Sequence, residues 1–280
     1  MLEFLMPMAR LSLLVFVVSA LLGTGMTLTV RQILEPLRNI RLVIISFAAS
    51  FLAVPLIAFV ITRIHPLERP LQIGLILLSM TAGSEALPKI SAIVKGNTGY
   101  AVGLMCMQII VSLVYVPLLI SVLLPQVTIN HFKLVMKLVL FVLLPLIGGL
   151  FLKARHESTV EKMEHALHKI SMVSLLLVFA LLIAAKFEVI LDILHLEVVL
   201  IVIVYLALAF AAGYLLGGPK PDIRMTLAVG SVLRSGGIAL VVGSQAFGDP
   251  KVIIMIMLIL ILMVPILPTM IWMFRRRSPA

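Results

Sequence analysis

Apolar runs of twenty or more residues recur along the whole chain, separated by short stretches that hold charges, Gly/Pro clusters or asparagine turns. Crossing the hydrocarbon core of a bilayer takes about 20 helical residues. Marking the runs between their breakers predicts helices near residues 4–29, 41–62, 70–95, 98–124, 132–153, 166–186, 195–217, 223–248 and 251–274. Nine spans place the two termini on opposite faces. The first run lacks both a basic lead and a small-residue cleavage site, so it reads as a retained helix rather than a signal peptide.

Composition removes the soluble alternatives. With 62% hydrophobic and 12% charged residues, and a mean hydropathy of +1.24, there is too little polar surface to cover a water-soluble globule. The reading is an all-α integral membrane protein, one domain over residues 1–280, expected as a monomer in the lipid bilayer. The net charge of +10 does not point to nucleic acid, because the bases flank apolar runs, where they set orientation. One set of helix ends carries Arg31, Arg38, Arg41, Lys95, Lys153, Arg155, Lys162, Lys169, Lys220, Arg224 and Arg275 to Arg277. The smaller set carries Arg10, Arg63, Arg69, Lys133, Lys137, Lys186 and Lys251. The richer side is expected to be cytoplasmic, which puts the C-terminus inside, the N-terminus outside, and the protein in the cell membrane. Cys106 is the single cysteine, so neither an intramolecular disulfide nor a cysteine metal site is available.

Two bases, Lys89 and Arg234, fall inside spans, where a charge is costly unless it meets a cavity or a partner. Both lie beside interruptions. The third span holds Gly83, Ser84, Glu85, Ala86, Leu87 and Pro88; the eighth holds Gly230, Ser231, Val232, Leu233, Arg234, Ser235, Gly236 and Gly237. Proline removes a helix hydrogen bond and paired glycines weaken helix propensity, so both spans are expected to unwind near their middles. At about 1.5 Å per residue, Glu85 and Arg234 each lie roughly 15 Å from the same membrane face. Equal depth suggests that the two charges meet. Matching interruptions in two halves of a membrane protein point to a transporter's binding site built from inverted repeats.

The residues Gly23 to Thr29 (GTGMTLT), the third span ending in Lys95, Gly96 and Asn97, the run Gly213 to Gly217 (GYLLG), and Thr226 through Gly237 together resemble the bile acid:sodium symporter family. Order and spacing agree over nearly the whole chain, in the nine-span form that lacks the first helix of the first repeat. The resemblance implies inverted repeats near 1–125 and 130–275. It also implies a core domain near 70–124 and 223–274, with two discontinuous helices crossing in it, packed against a panel domain. Its implied activity is secondary transport, not enzymatic catalysis, of a small organic or steroid-like anion by alternating access.

The family's cofactor-like partner is sodium, held by oxygen ligands around the crossover. Those positions fall here on Ser50, Leu87, Pro88, Ala101, Met105, Gly230, Arg234 and Ser235, most of which offer no side-chain oxygen. The usual sodium sites are therefore expected to be missing, with Arg234 as a tethered cation partnered by Glu85 or by backbone carbonyls. The substrate region is expected at Ser84, Glu85, Pro88, Ser231, Arg234, Ser235, Gly236 and Gly237, with Arg234 attracting a carboxylate and Met105, Met107 and Met225 lining a cavity.

Blander readings compete. Glu85 and Lys89 are spaced for an i,i+4 pair if the helix continues past Pro88, and Lys89 is placed to snorkel. Glu85 also suits a proton relay, and a non-transporting receptor or regulator on the same fold remains an alternative. His156, His165 and His168, amid Glu157, Glu161, Lys162 and Glu164, read as a solvated lead-in rather than a metal site. Gly99/Gly103 and Gly213/Gly217 read as helix packing.

Overall fold

The computed structural model describes residues 2–29, 39–123, 131–155, 157–247 and 249–277; Arg31, Arg38 and His156 lie outside them. Among the described residues every regular element is a helix. The first, α1 (Leu2–Thr27), is followed by α2 (Ile40–Phe47), a π-helical segment (Ala48–Ala53) and α3 (Val54–Ile64), which run on as one rod. Next come α4 (Arg69–Met80), α5 (Leu87–Ile93), α6 (Thr98–Leu123), α7 (His131–Leu138), a second π-helical segment (Val139–Leu143) and α8 (Leu144–Arg155). The remainder is α9 (Glu157–Ile193), α10 (Leu196–Leu216), α11 (Pro221–Val232), α12 (Gly236–Ala246) and α13 (Pro250–Arg277).

Among the described residues, 7 helical stretches are long and apolar enough to cross a membrane: Pro7–Thr27, Ile40–Ile64, Thr98–Ile120, Phe132–Arg155, Lys162–Ile193, Leu196–Leu216 and Pro250–Phe274. The runs expected near 70–95 and 223–248 are instead two pairs of half-helices, α4/α5 and α11/α12. The helix expected to end at Lys186 bends there (φ −138°, ψ 33°) and runs on to Ile193.

Prolines shape the rods. In the first π-helical segment, Val54 N–H donates to Ala49 rather than to Ser50, the partner an α-helix would give it. Position 55 is a proline and has no N–H to offer either Ser50 or Phe51. Two carbonyls are thereby released inside the protein. Tyr115 donates its hydroxyl to Phe51 O, and the second carbonyl is used in the site. Pro221 opens α11 with Asp222 in the first turn, the positions where a missing N–H costs nothing and a negative charge meets the helix dipole.

Packing divides the helices. α1 packs most extensively against α9 and α8, whereas α4 packs against α13, and α10 against α11. Gly213 lets α10 approach α11 closely: a methyl group there would collide with Leu227 O and the Cα of Ala228, which agrees with the packing role expected of it. At the membrane end that carries Lys251, its ammonium reaches Glu68 at 2.7 Å and Asp192 at 3.0 Å, joining the starts of α4 and α13 to the end of α9. Those are the ion pairs among the described residues.

Candidate functional site

The breaks meet. Between α4 and α5 the chain is non-helical over Thr81–Ala86, and between α11 and α12 over Leu233–Ser235. Ala82 and Arg234 form an antiparallel bridge, and Ser235 N–H donates to Thr81 O at 2.9 Å. Unwound backbone at membrane depth needs internal partners. Ser112 on α6 supplies two: its hydroxyl accepts from Ala82 N–H at 3.1 Å and donates to Ala82 O at 3.0 Å.

The cause of each break differs from the sequence expectation. Pro88 does not stop a helix; it sits in the first turn of α5, where proline is favoured. The interruption lies upstream at Gly83, whose φ of +92° and tight seat against Ile109 and Met105 O exclude a side chain. Gly236 and Gly237 likewise begin α12 rather than break it, with Ser235 as N-cap, accepting from Ile238 N–H at 3.4 Å. At Gly236 the absent side chain leaves room for Leu260 of α13.

Arg234 is 2% exposed. Its Nη2 donates to Ser231 O at 2.8 Å, and its Nη1 donates to Ser50 O at 3.1 Å, the carbonyl released by the π-helical segment. Ser231 belongs to the last turn of α11, where the helix dipole favours a cation. The hydroxyl-bearing rings of Tyr205 and Tyr115 lie close to the guanidinium. Glu85 is not its partner. The bridge register puts Ala82 opposite Arg234, three residues before Glu85, and Glu85 makes no ion pair among the described residues. Nor does Glu85 pair with Lys89: α5 starts only at Leu87, so the two do not share a continuous helix. Lys89 is exposed and places Nζ 2.7 Å from Nε2 of His168 on α9. His168 is thus tied to the breaks rather than belonging to a merely solvated lead-in.

Of the other positions singled out, Leu87 and Ala101 are 0% exposed and Met105 1%. A methyl group at Gly230 would touch the side chains of Leu87 and Leu104, so carbon fills this space. Ser50 is fully buried and its Oγ accepts from Gln108 Nε2 at 2.6 Å. Ser84 bonds locally, accepting from Ala86 N–H at 3.3 Å. No group of three or more His, Cys, Asp or Glu with metal-ligand geometry occurs among the described residues.

A cavity of about 630 Å³ lies beside the crossover, walled by Ala86, Ile90, Leu233, Met263, Leu267 and Trp272 among others. Its walls come from α5 and α13, not from the expected methionines, since Met105, Met107 and Met225 are buried in packing. Arg234 does not line it, although the adjacent Leu233 does. Ser112, Gln108, Tyr115 and Tyr205 were not legible as site residues, being single polar positions in apolar helices. For Tyr115 the signal was the mid-span Pro55, which announces carbonyls in need of donors.

A sodium bile acid symporter family model matches residues 13–193. The chain belongs to this family. Among relatives of the sodium bile acid symporter family member described above, the uncharacterized sodium-dependent transporter YocS of Bacillus subtilis is 26% identical over 62% of this chain and 54% of its own. The probable sodium/metabolite cotransporter BASS2, chloroplastic, of Oryza sativa is 27% identical over 83% of this chain and 56% of its own. The probable sodium/metabolite cotransporter BASS1, chloroplastic, of Arabidopsis thaliana is 28% identical over 50% and 35%. The chain spans about half the length of the first two and less of the third. All three are named as transporters or cotransporters.

Proposed function

We propose that this family member is a secondary transporter for a small organic or steroid-like anion, working by alternating access without the family's usual sodium sites. The observation that carries the reading is the hydrogen bonding of Arg234 to Ser50 O and Ser231 O at the crossing of two broken helices. Sodium needs several converging oxygen ligands. Here Leu87, Pro88, Ala101, Met105 and Gly230 offer no side-chain oxygen, and the hydroxyls of Ser50 and Ser235 are already engaged. A guanidinium brings permanent charge and five donors to released carbonyls, and so takes the place of an exchangeable ion.

Counting each pair of half-helices as one further span gives nine, arranged as inverted repeats with α1, α8 and α9 as panel and the crossing helices in the core. The tight packing of α1 on α8 and α9 supports that division. The richer set of Lys and Arg supports a cytoplasmic C-terminus and a cell-membrane location. The cavity between α5 and α13 supports an apolar substrate body. In purified protein reconstituted into liposomes, uptake of radiolabelled cholate is expected to persist when sodium is replaced by potassium or choline. Uptake that vanishes on replacement overturns the sodium-free reading. No uptake of cholate or of a panel of small carboxylates moves the reading to a non-transporting regulator.

A second coupling reading rests on Glu85, a half-buried carboxylate without an ion pair among the described residues, next to the cavity-lining Ala86. Proton coupling through it predicts pH-driven uptake that is lost in Glu85→Gln; pH dependence that survives this change removes the carboxylate from the coupling.

A further inference from the structure

The buried crossover leaves the anion of a substrate without a binding group. Arg234 is 2% exposed and donates to two carbonyls, so its charge is used internally. The wall of the cavity is otherwise apolar. One cation stands at its edge. Ala86, the N-cap of α5, lines the cavity with Ile90 and Ile93 of that helix, and Lys89 lies three residues after the first and four before the last, at the rim of that face. Lys89 is exposed, and its Nζ lies 2.7 Å from Nε2 of His168 on α9.

We propose that Lys89 forms the head-group site for an amphipathic monoanion whose apolar body fills the cavity between α5 and α13, the anion displacing His168 from the Lys89 ammonium. This rests on the transporter reading above and adds to it the residue that selects for charge. A carboxylate brings its own negative charge to the ammonium, so that both partners of the hydrogen bond are ionised, and it thereby displaces the imidazole as partner of Lys89. The exchange also releases a tie between α5 and α9. Binding at Lys89 thereby loosens one contact between α5 and α9, which links occupancy of the cavity to relative movement of the two sides.

Trp272 is the single tryptophan of the chain and lines the cavity, so its fluorescence reports occupancy. The experiment titrates the purified full chain in nanodiscs with cholate and with its uncharged methyl ester, in wild type, Lys89→Gln, Lys89→Arg and His168→Gln. The expected result is a Trp272 response to both probes in wild type, with cholate bound more tightly. Lys89→Gln is expected to weaken cholate at least tenfold and leave the ester unchanged, while Lys89→Arg restores most of the difference. In His168→Gln the competing imidazole is gone and cholate binding is retained within a few fold. Equal weakening of acid and ester by Lys89→Gln, or no change in either, overturns the head-group assignment and leaves the cavity reading standing. Absence of any Trp272 response to both probes overturns the cavity reading and this proposal with it.

Discussion

Arg234 and Ser50 are 184 positions apart in sequence, and the guanidinium of one holds the main-chain oxygen of the other at 3.1 Å. The bond exists because the helix containing Ser50 cannot use that oxygen itself. Val54 N–H has shifted to Ala49, and Pro55 has none to give. Replacing Arg234 by methionine keeps much of the side-chain volume but leaves Ser50 O and Ser231 O without this donor, at about 1–3 kcal/mol for each buried acceptor. Thermal unfolding in detergent is expected to show the loss. The same experiment carries a sign for sodium: the wild-type midpoint is expected to be equal in NaCl and KCl, and a rise specific to NaCl contradicts a tethered cation.

Ser112 presents a second case of long-range repair. One hydroxyl closes both backbone groups of Ala82, so Ser112→Ala opens a buried N–H and a buried C=O together. A destabilisation of about 2 kcal/mol or more is expected. Ser112→Thr, which keeps the hydroxyl, is expected to recover most of it. Equal melting of the alanine variant and wild type would show that the broken segment does not depend on α6.

The extent to which sequence revealed this site follows from the range of the signals. Long apolar runs report on lipid, and the element bounds followed from them to within a few residues at most helix ends. The two interruptions were legible as well, because glycine, proline and charge are rare at such depth. What was not legible was register. Equal depth suggested that Glu85 and Arg234 meet, yet the backbone crosses at Ala82, and a difference of three residues removes the contact. Pro88 was misread for a related reason: proline marks a helix boundary without saying which side of it the helix occupies. The partner of Lys89 lies 79 positions away on α9, a distance at which local spacing carries no information.

Gly83 and Gly218 separate two costs that a glycine can hide. Both have positive φ, +92° and +78°. A methyl group at Gly218 meets nothing within 4 Å, whereas at Gly83 it collides with Ile109 and with Met105 O. Gly218→Ala is therefore expected to lower stability by about 1 kcal/mol, the conformational cost alone. Gly83→Ala adds overpacking of typically 1–3 kcal/mol beside the crossover. Comparable melting curves for the two variants would mean that the segment around Gly83 yields easily, and that the crossover is not rigid there.

Lys251 joins three elements at the other membrane end, through Glu68 and Asp192. The acids are largely exposed, at 57% of their side-chain surface each, so water screens both pairs. Exposed pairs contribute about 1 kcal/mol or less, and Lys251→Met is expected to change the unfolding midpoint little, by an amount that fades further in high salt. Its effect should fall on conformation instead. Asp192 lies on α9, on the proposed panel side, while Glu68 and Lys251 lie at the starts of α4 and α13 in the proposed core. Loss of the lysine removes a tie that must open whenever this end of the protein does. In Lys251→Met, a cysteine introduced at Phe247, in a Cys106→Ala background, is expected to react faster with a membrane-impermeant maleimide than the same cysteine beside an intact Lys251. An unchanged labelling rate, with the fold intact, would show that the two ion pairs do not hold this end closed.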